Sequence, residues 1–133
     1  MIISFAHTTP ALMARRKTVT RREWKDSTLA TAVRAFEKGS RIDAWSQRAS
    51  VPGARKVGEI VLVEKPRRES IALMPDSDWE AEGFAYLEEQ GLDCMGMTPR
   101  ALWADWRRDL HVARPREFVV VRFRVVTLLG EVG

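Results

Sequence analysis

The densest chemical cluster in the sequence is Arg15-Arg16-Lys17-Thr18-Val19-Thr20-Arg21-Arg22, with five cations in eight residues. Side chains alternate along an extended backbone, so Thr18, Thr20 and Arg22 share one face while Val19 and Arg21 point the other way. Lys17 stands at the segment's entrance and can swing to either side. A face with a hydroxyl, an ammonium and a guanidinium suits an anionic or carbonyl-bearing ligand. Arginine offers a bidentate fork, lysine a point charge and threonine a hydroxyl. The same residues also suit a solvated basic edge that resists strand pairing. Residue chemistry alone leaves both readings open.

Other candidates are weaker. Trp24, Trp45 and Trp79 could stack on bases, although burial is the safer reading for any single tryptophan. Trp103 and Trp106, at helical spacing, are assigned to the core. Cys94, in LDCMGM, reads as a small apolar filler, because a nucleophilic role needs a nearby histidine. His7 follows the first strand and is read as a surface residue, with a place at the pocket as the alternative.

These residues must be positioned by local elements. Residues 2–6, IISFA, read as a strand. Thr9-Pro10 opens a short helix to about Arg15 or Arg16, because proline is favoured at the first helical position. The β-branched Thr18, Val19 and Thr20 favour a strand over 18–22. Asp26 or Ser27 is a candidate N-cap, and Leu29, Ala32, Val33 and Phe36 follow at the spacing of one helical face, ending at Gly39. Residues 40–47 alternate, with Ile42, Ala44 and Ser46 on one face. Pro52-Gly53 is a turn. Val57 to Val63 reads as a central strand that continues to Ile71 with a break at Pro66, since proline cannot donate to a sheet ladder. Ser77-Asp78-Trp79-Glu80 fits a capping box for a helix to about Gln90. Thr98-Pro99 opens a last helix with Trp103, Trp106 and Leu110 along one stripe. Residues 117–126, EFVVVRFRVV, are the clearest strand, with Arg122 and Arg124 on one face. Short mixed elements in this order predict an α+β fold rather than an alternating parallel one.

Composition bounds the function. The chain has 133 residues, the size of one domain spanning 1–133, and 45% of them are apolar, enough for a core without disulfides. The single cysteine excludes an intrachain disulfide and a multi-cysteine zinc site, and His7 and His111 belong to no metal-ligand spacing. No metal or cofactor is therefore expected. No segment reaches the ~18 apolar residues of a membrane helix. The N-terminus has no basic region ahead of its apolar start, which predicts a cytoplasmic protein. Residues 1–70 hold 15 Lys and Arg against 7 Asp and Glu, while residues 71–133 hold 7 against 11. A basic half facing an acidic half suggests an anionic partner on one side, the alternative being that the arginine-rich composition merely reflects the genome or a warm habitat.

The stretch SFAHTTPALMARRKTVTRREW resembles the opening of ASCH domains: a strand, a short helix, then a Lys-Thr-x-Thr-x-Arg strand. DWEAEGF resembles their acidic helix start, and EFVVVRFRVV their closing strand. The segment bearing Trp103 and Trp106 also matches in position. The resemblance implies a PUA-like, curved, mainly antiparallel β-barrel with peripheral helices. Small bacterial members remove the acyl group from N4-acetylcytidine with a lysine, a threonine and a glutamate, beside an arginine. The matching positions are Lys17, Thr20, Glu82 and Arg22, with Glu80 two residues from Glu82. Arg15, Arg16, Arg21 and Trp24 are assigned to substrate or RNA contact. The helix over about 27–38 reads as an insertion relative to those enzymes. The alternative within the same family is a non-catalytic RNA-binding module or a ribonuclease.

The chemistry of such a triad has its own requirement. A threonine hydroxyl is a poor nucleophile until a base takes its proton. Lysine is that base only when burial or neighbouring cations pull its pKa well below ~10.4. The flanking arginines lower it and a carboxylate such as Glu82 raises it. The sequence leaves that contest open.

Overall fold

The computed structural model describes residues 1–48 and 50–130. Its elements are β1 (Ile2–Ser4), α1 (Thr9–Met13), β2 (Val19–Arg22), α2 (Asp26–Lys38), β3 (Ile42–Trp45), β4 (Lys56–Leu62), β5 (Arg67–Ser70), α3 (Asp78–Ala81), α4 (Phe84–Glu89), α5 (Pro99–Arg108) and β6 (Glu117–Leu128).

β6 organises the sheet. Its apolar run has both faces covered, which is why it reads as continuous rather than alternating. Val119, Val121 and Phe123 enter the main core, while Phe118 joins a second cluster with Ile71 and Met74. β6 pairs antiparallel with β2, β4 and β5. β4 and β5 lie in succession on it, Leu62 opposite Phe123 and Arg67 opposite Val120. They are the single strand expected over 57–71, interrupted around Pro66. β3 pairs antiparallel with β4, and β1 joins β3 in parallel. The order β1-β3-β4-β6-β2 forms a strongly curled, mainly antiparallel half-barrel with peripheral helices, a mixed α+β architecture.

α1 and α2 contribute Leu12, Ala32, Leu29 and Phe36 to the main core beside Ile3, Phe5, Ile42 and Ile60. α2 ends as its sequence demands: Gly39 adopts φ 63°, a left-handed cap that suits glycine. Thr98 caps α5 by accepting from the Ala101 N–H at 3.1 Å. Trp103 and Trp106 pack in the apolar clusters under α5. Trp45 and Trp79 are half-buried, Trp79 against the cluster of Phe84 and Leu87.

Three local expectations are corrected. The first strand is shorter than 2–6, because Phe5 ends it and Ala6–Thr8 form a 3₁₀ turn. Ser77 makes no side-chain cap bond. The helix expected over 77–90 is broken into α3 and α4 at Gly83, where φ is 96°. Any side chain there would also collide, since a Cβ would stand 2.6 Å from the Ala11 Cβ. Close approach of α1 therefore requires glycine, and the backbone turns at that residue.

Candidate functional site

The break at Gly83 builds the site. Carbonyls at the end of α3 would otherwise lack partners. Instead the Thr18 N–H donates to the Ala81 carbonyl at 2.8 Å, and the Lys17 ammonium donates to the Glu82 carbonyl at 2.7 Å. The start of β2 is thus bonded to the end of α3, although 65 residues separate Lys17 from Glu82. Lys17 also donates to the Glu82 carboxylate at 3.2 Å. Both side chains are buried, at 1% and 3% exposed.

Arg21 completes a larger network. It donates to Glu82 at 2.7 Å and pairs with Asp78 at 2.6 Å. Asp78 also accepts two bonds from Arg122, at 3.1 and 3.0 Å. The register explains the meeting: Val19 lies opposite Arg122 and Arg21 opposite Val120, so both arginines project from the same sheet face toward α3. Arg21 indeed points away from Thr20 and Arg22, yet it reaches the buried Glu82. The local sequence pattern places Asp78 only at a helix start. An arginine inside the apolar run FVVVRF was the available signal, because such a cation requires a carboxylate partner.

Thr20 and Arg22 project from the opposite face of β2. Thr20 is buried, and its hydroxyl accepts from the Arg22 Nε at 3.0 Å. The Arg22 guanidinium lies over the Phe5 ring, 5.6 Å from its centroid. Lys17, Thr20, Arg21, Arg22 and Glu82 all line one cavity of about 600 Å³. That size is ordinary for a small-molecule site. Its apolar wall comprises Phe84, Cys94, Leu102 and Trp106, and its mouth carries His7, Gln47 and Arg48. Cys94 and Trp106 thus face the cavity as well as the core, which their helical and turn contexts did not reveal. Glu80 is not at the cavity; it pairs with Arg16 at the surface.

Electrostatics bear on the open question about Lys17. Burial pushes its pKa below the ordinary lysine value, Arg22 pushes the same way, and Glu82 opposes them. Burial likewise lowers Arg22, although a guanidinium stays charged. Burial raises the Cys94 thiol, so it offers the cavity a neutral wall.

Other residues assigned to ligand contact lie elsewhere. Arg16 is gripped by Glu80 and Glu89 outside the cavity. Arg15 is exposed, with a hydrogen bond to the Val125 carbonyl at 3.5 Å. Trp24 is half-buried against the main core. Among the described residues, no three His, Cys, Asp or Glu side chains gather as metal ligands, and no helix is long and apolar enough to cross a membrane.

No protein-family model matches this chain, and no curated protein does. Among solved structures it is similar to protein EF3133 from Enterococcus faecalis V583, described under the family model DUF984. That likeness has 16% identity and a TM-score of 0.49, covering 96% of this chain and 75% of the other. What defines the chain is its own geometry: a curled, mainly antiparallel sheet whose helices close a cavity with one charged wall and one apolar wall.

Proposed function

We propose that the chain is an ASCH-type, PUA-like domain whose cavity binds and deacylates N4-acylated cytidine-type nucleosides, free or within RNA. The observation that carries this reading is the convergence of buried Lys17 and Glu82 with Thr20 and Arg22 on one cavity. A lowered lysine pKa is what a general base needs at neutral pH. Glu82 holds the Lys17 nitrogen by two hydrogen bonds, which leaves its remaining position, the lone pair of the neutral amine, for the cavity.

In this mechanism neutral Lys17 takes the proton of the Thr20 hydroxyl as its oxygen attacks the amide carbonyl. The carbonyl oxygen becomes an oxyanion beside the Arg22 guanidinium, where charge stabilisation is strongest. Collapse breaks the carbon–nitrogen bond, and the departing amine takes the proton back from Lys17. Water then attacks the Thr20 ester with Lys17 again as base, releasing the carboxylic acid and restoring the hydroxyl. Glu82 holds Lys17 in place throughout, through its carbonyl and its carboxylate. The apolar wall takes the base and acyl group.

The test is release of cytidine from N4-acetylcytidine, followed by chromatography in the presence of a chelator. Thr20→Ala and Lys17→Ala abolish turnover. Arg22→Ala costs about 2–4 kcal/mol of transition-state stabilisation. Glu82→Gln impairs turnover and Glu80→Gln does not. Full activity in Thr20→Ala overturns the nucleophile assignment.

A further inference from the structure

The cavity carries more positive charge than its own carboxylates neutralise. Lys17 and Arg21 meet Glu82, Arg21 and Arg122 share Asp78, and Arg122 also approaches Glu64 at 3.6 Å. These groups balance one another. Arg22 feels the Glu82 charge through space but makes no ion pair with a carboxylate among the described residues. Its side-chain hydrogen bond among the described residues runs through Nε to a neutral hydroxyl, that of Thr20. The Arg22 guanidinium is partly desolvated and has Glu82 only at a distance, so a hydrogen-bonding anion would still be favourable there.

A second cation stands at the mouth. Arg48 lines the cavity, is exposed, and pairs with no carboxylate among the described residues. The segment around it, Ser46-Gln47-Arg48 and Ser50 to Arg55, holds no Asp or Glu. His7 lines the same cavity and is exposed. Among the described residues the exposed Arg41, Arg67, Arg100 and Arg108 each meet a carboxylate while the exposed Arg34, Arg55, Arg114 and Arg124 do not, so what sets Arg48 apart is its place on the cavity. Of the cations lining the cavity, Arg22 and Arg48 are the ones that make no ion pair with a carboxylate among the described residues.

We propose that the ligand carries a permanent phosphate: the cavity takes a nucleoside monophosphate, with the phosphate on Arg48 beside His7 and the base against the apolar wall. This rests on the nucleoside reading above and deepens it. A neutral nucleoside would leave Arg48 unpaired in the bound state. A phosphate monoester accepts the bidentate fork of an arginine, and its charge is steered toward the mouth before contact. Arg22, nearer Thr20, then stays available for charge developing at the reacting carbonyl.

The experiment compares binding of cytidine and cytidine 5′-monophosphate by calorimetry, using the Thr20→Ala chain so that no chemistry intervenes. The monophosphate should bind at least tenfold tighter, and the difference should shrink as salt is raised. Arg48→Ala should remove the difference while leaving cytidine affinity unchanged. Inorganic phosphate should compete with the monophosphate and not with cytidine. A 5′-phosphorylated tetranucleotide starting with cytidine distinguishes the phosphate's source. Binding no tighter than the mononucleotide supports the proposal, and much tighter binding overturns it in favour of a phosphodiester chain. Equal affinity for cytidine and its monophosphate, failure of both to bind, or equal loss of both in Arg48→Ala, also overturns it. Hydrolysis of acylated nucleosides by the unaltered chain is scored separately, so either reading can fail alone.

Discussion

Lys17 and Glu82 meet twice, through the backbone carbonyl at 2.7 Å and through the carboxylate at 3.2 Å. The first bond fixes where the lysine stands and the second modulates its proton. The carbonyl is open to it because the helix breaks at Gly83, so a backbone feature and a titratable site are one construction.

That coupling gives the first prediction. Gly83→Ala forces a side chain into φ 96° and against Ala11. Strain of this kind costs about 1–3 kcal/mol, and the clash adds to it. Urea denaturation should show the loss, and the Lys17 pH dependence below should shift in the same variant. A Gly83→Ala chain with unchanged midpoint and unchanged titration would remove the turn from the design.

The buried network makes the second. Asp78 is 2% exposed and accepts from both Arg21 and Arg122. Asp78→Ala leaves two guanidiniums short of a partner, which should cost about 3–5 kcal/mol, as for other broken buried pairs. Glu80→Gln, at the exposed Arg16 pair, should barely move the same unfolding curve. Equal effects of the two changes would mean that burial does not govern this network.

The third concerns pH. Lys17 is held below its ordinary value in the folded chain, burial being the main cause. Between that lowered value and the unfolded value of ~10.4, the unfolded chain binds more protons. Stability from this group therefore grows as pH rises through the window, and Lys17→Met should abolish the slope. Turnover should rise with pH through the same ionisation. Glu82→Gln removes the charge that raises the lysine, so the rising limb moves to lower pH. Arg22→Ala removes a charge that lowers it, so the limb moves to higher pH.

The fourth separates core from contact. Trp24 packs against the main core. Trp24→Ala should cost roughly 3 kcal/mol of stability, in the range for large-to-small aromatic changes. Affinity for a cytidine ligand, measured below the unfolding transition, should stay within twofold. A selective loss of affinity with stability intact would return Trp24 to the ligand.

Local patterns were legible wherever one short segment carries its own physics. The alternation of Arg15 to Arg22 separates Thr20 and Arg22 from Arg21, as the register with Val121, Val119 and Val120 bears out. The helical face of Leu29, Ala32 and Phe36, the left-handed stop at Gly39, the Thr98 cap and the interruption at Pro66 are likewise local. Tertiary structure decided what crosses the chain. Glu82 rather than Glu80 enters the cavity because the turn at Gly83 ends α3 just after Glu82, whereas Glu80 lies out on Arg16. Asp78 becomes the hub of two arginines because β2 and β6 are adjacent in register. Arg16 and Arg22 are identical residues in one cluster, yet one ends between surface carboxylates and the other beside a buried hydroxyl. Periodicity encodes which way a side chain leaves its own element. Its charge partner depends on which other element folds against it, and that information lies more than 60 residues away.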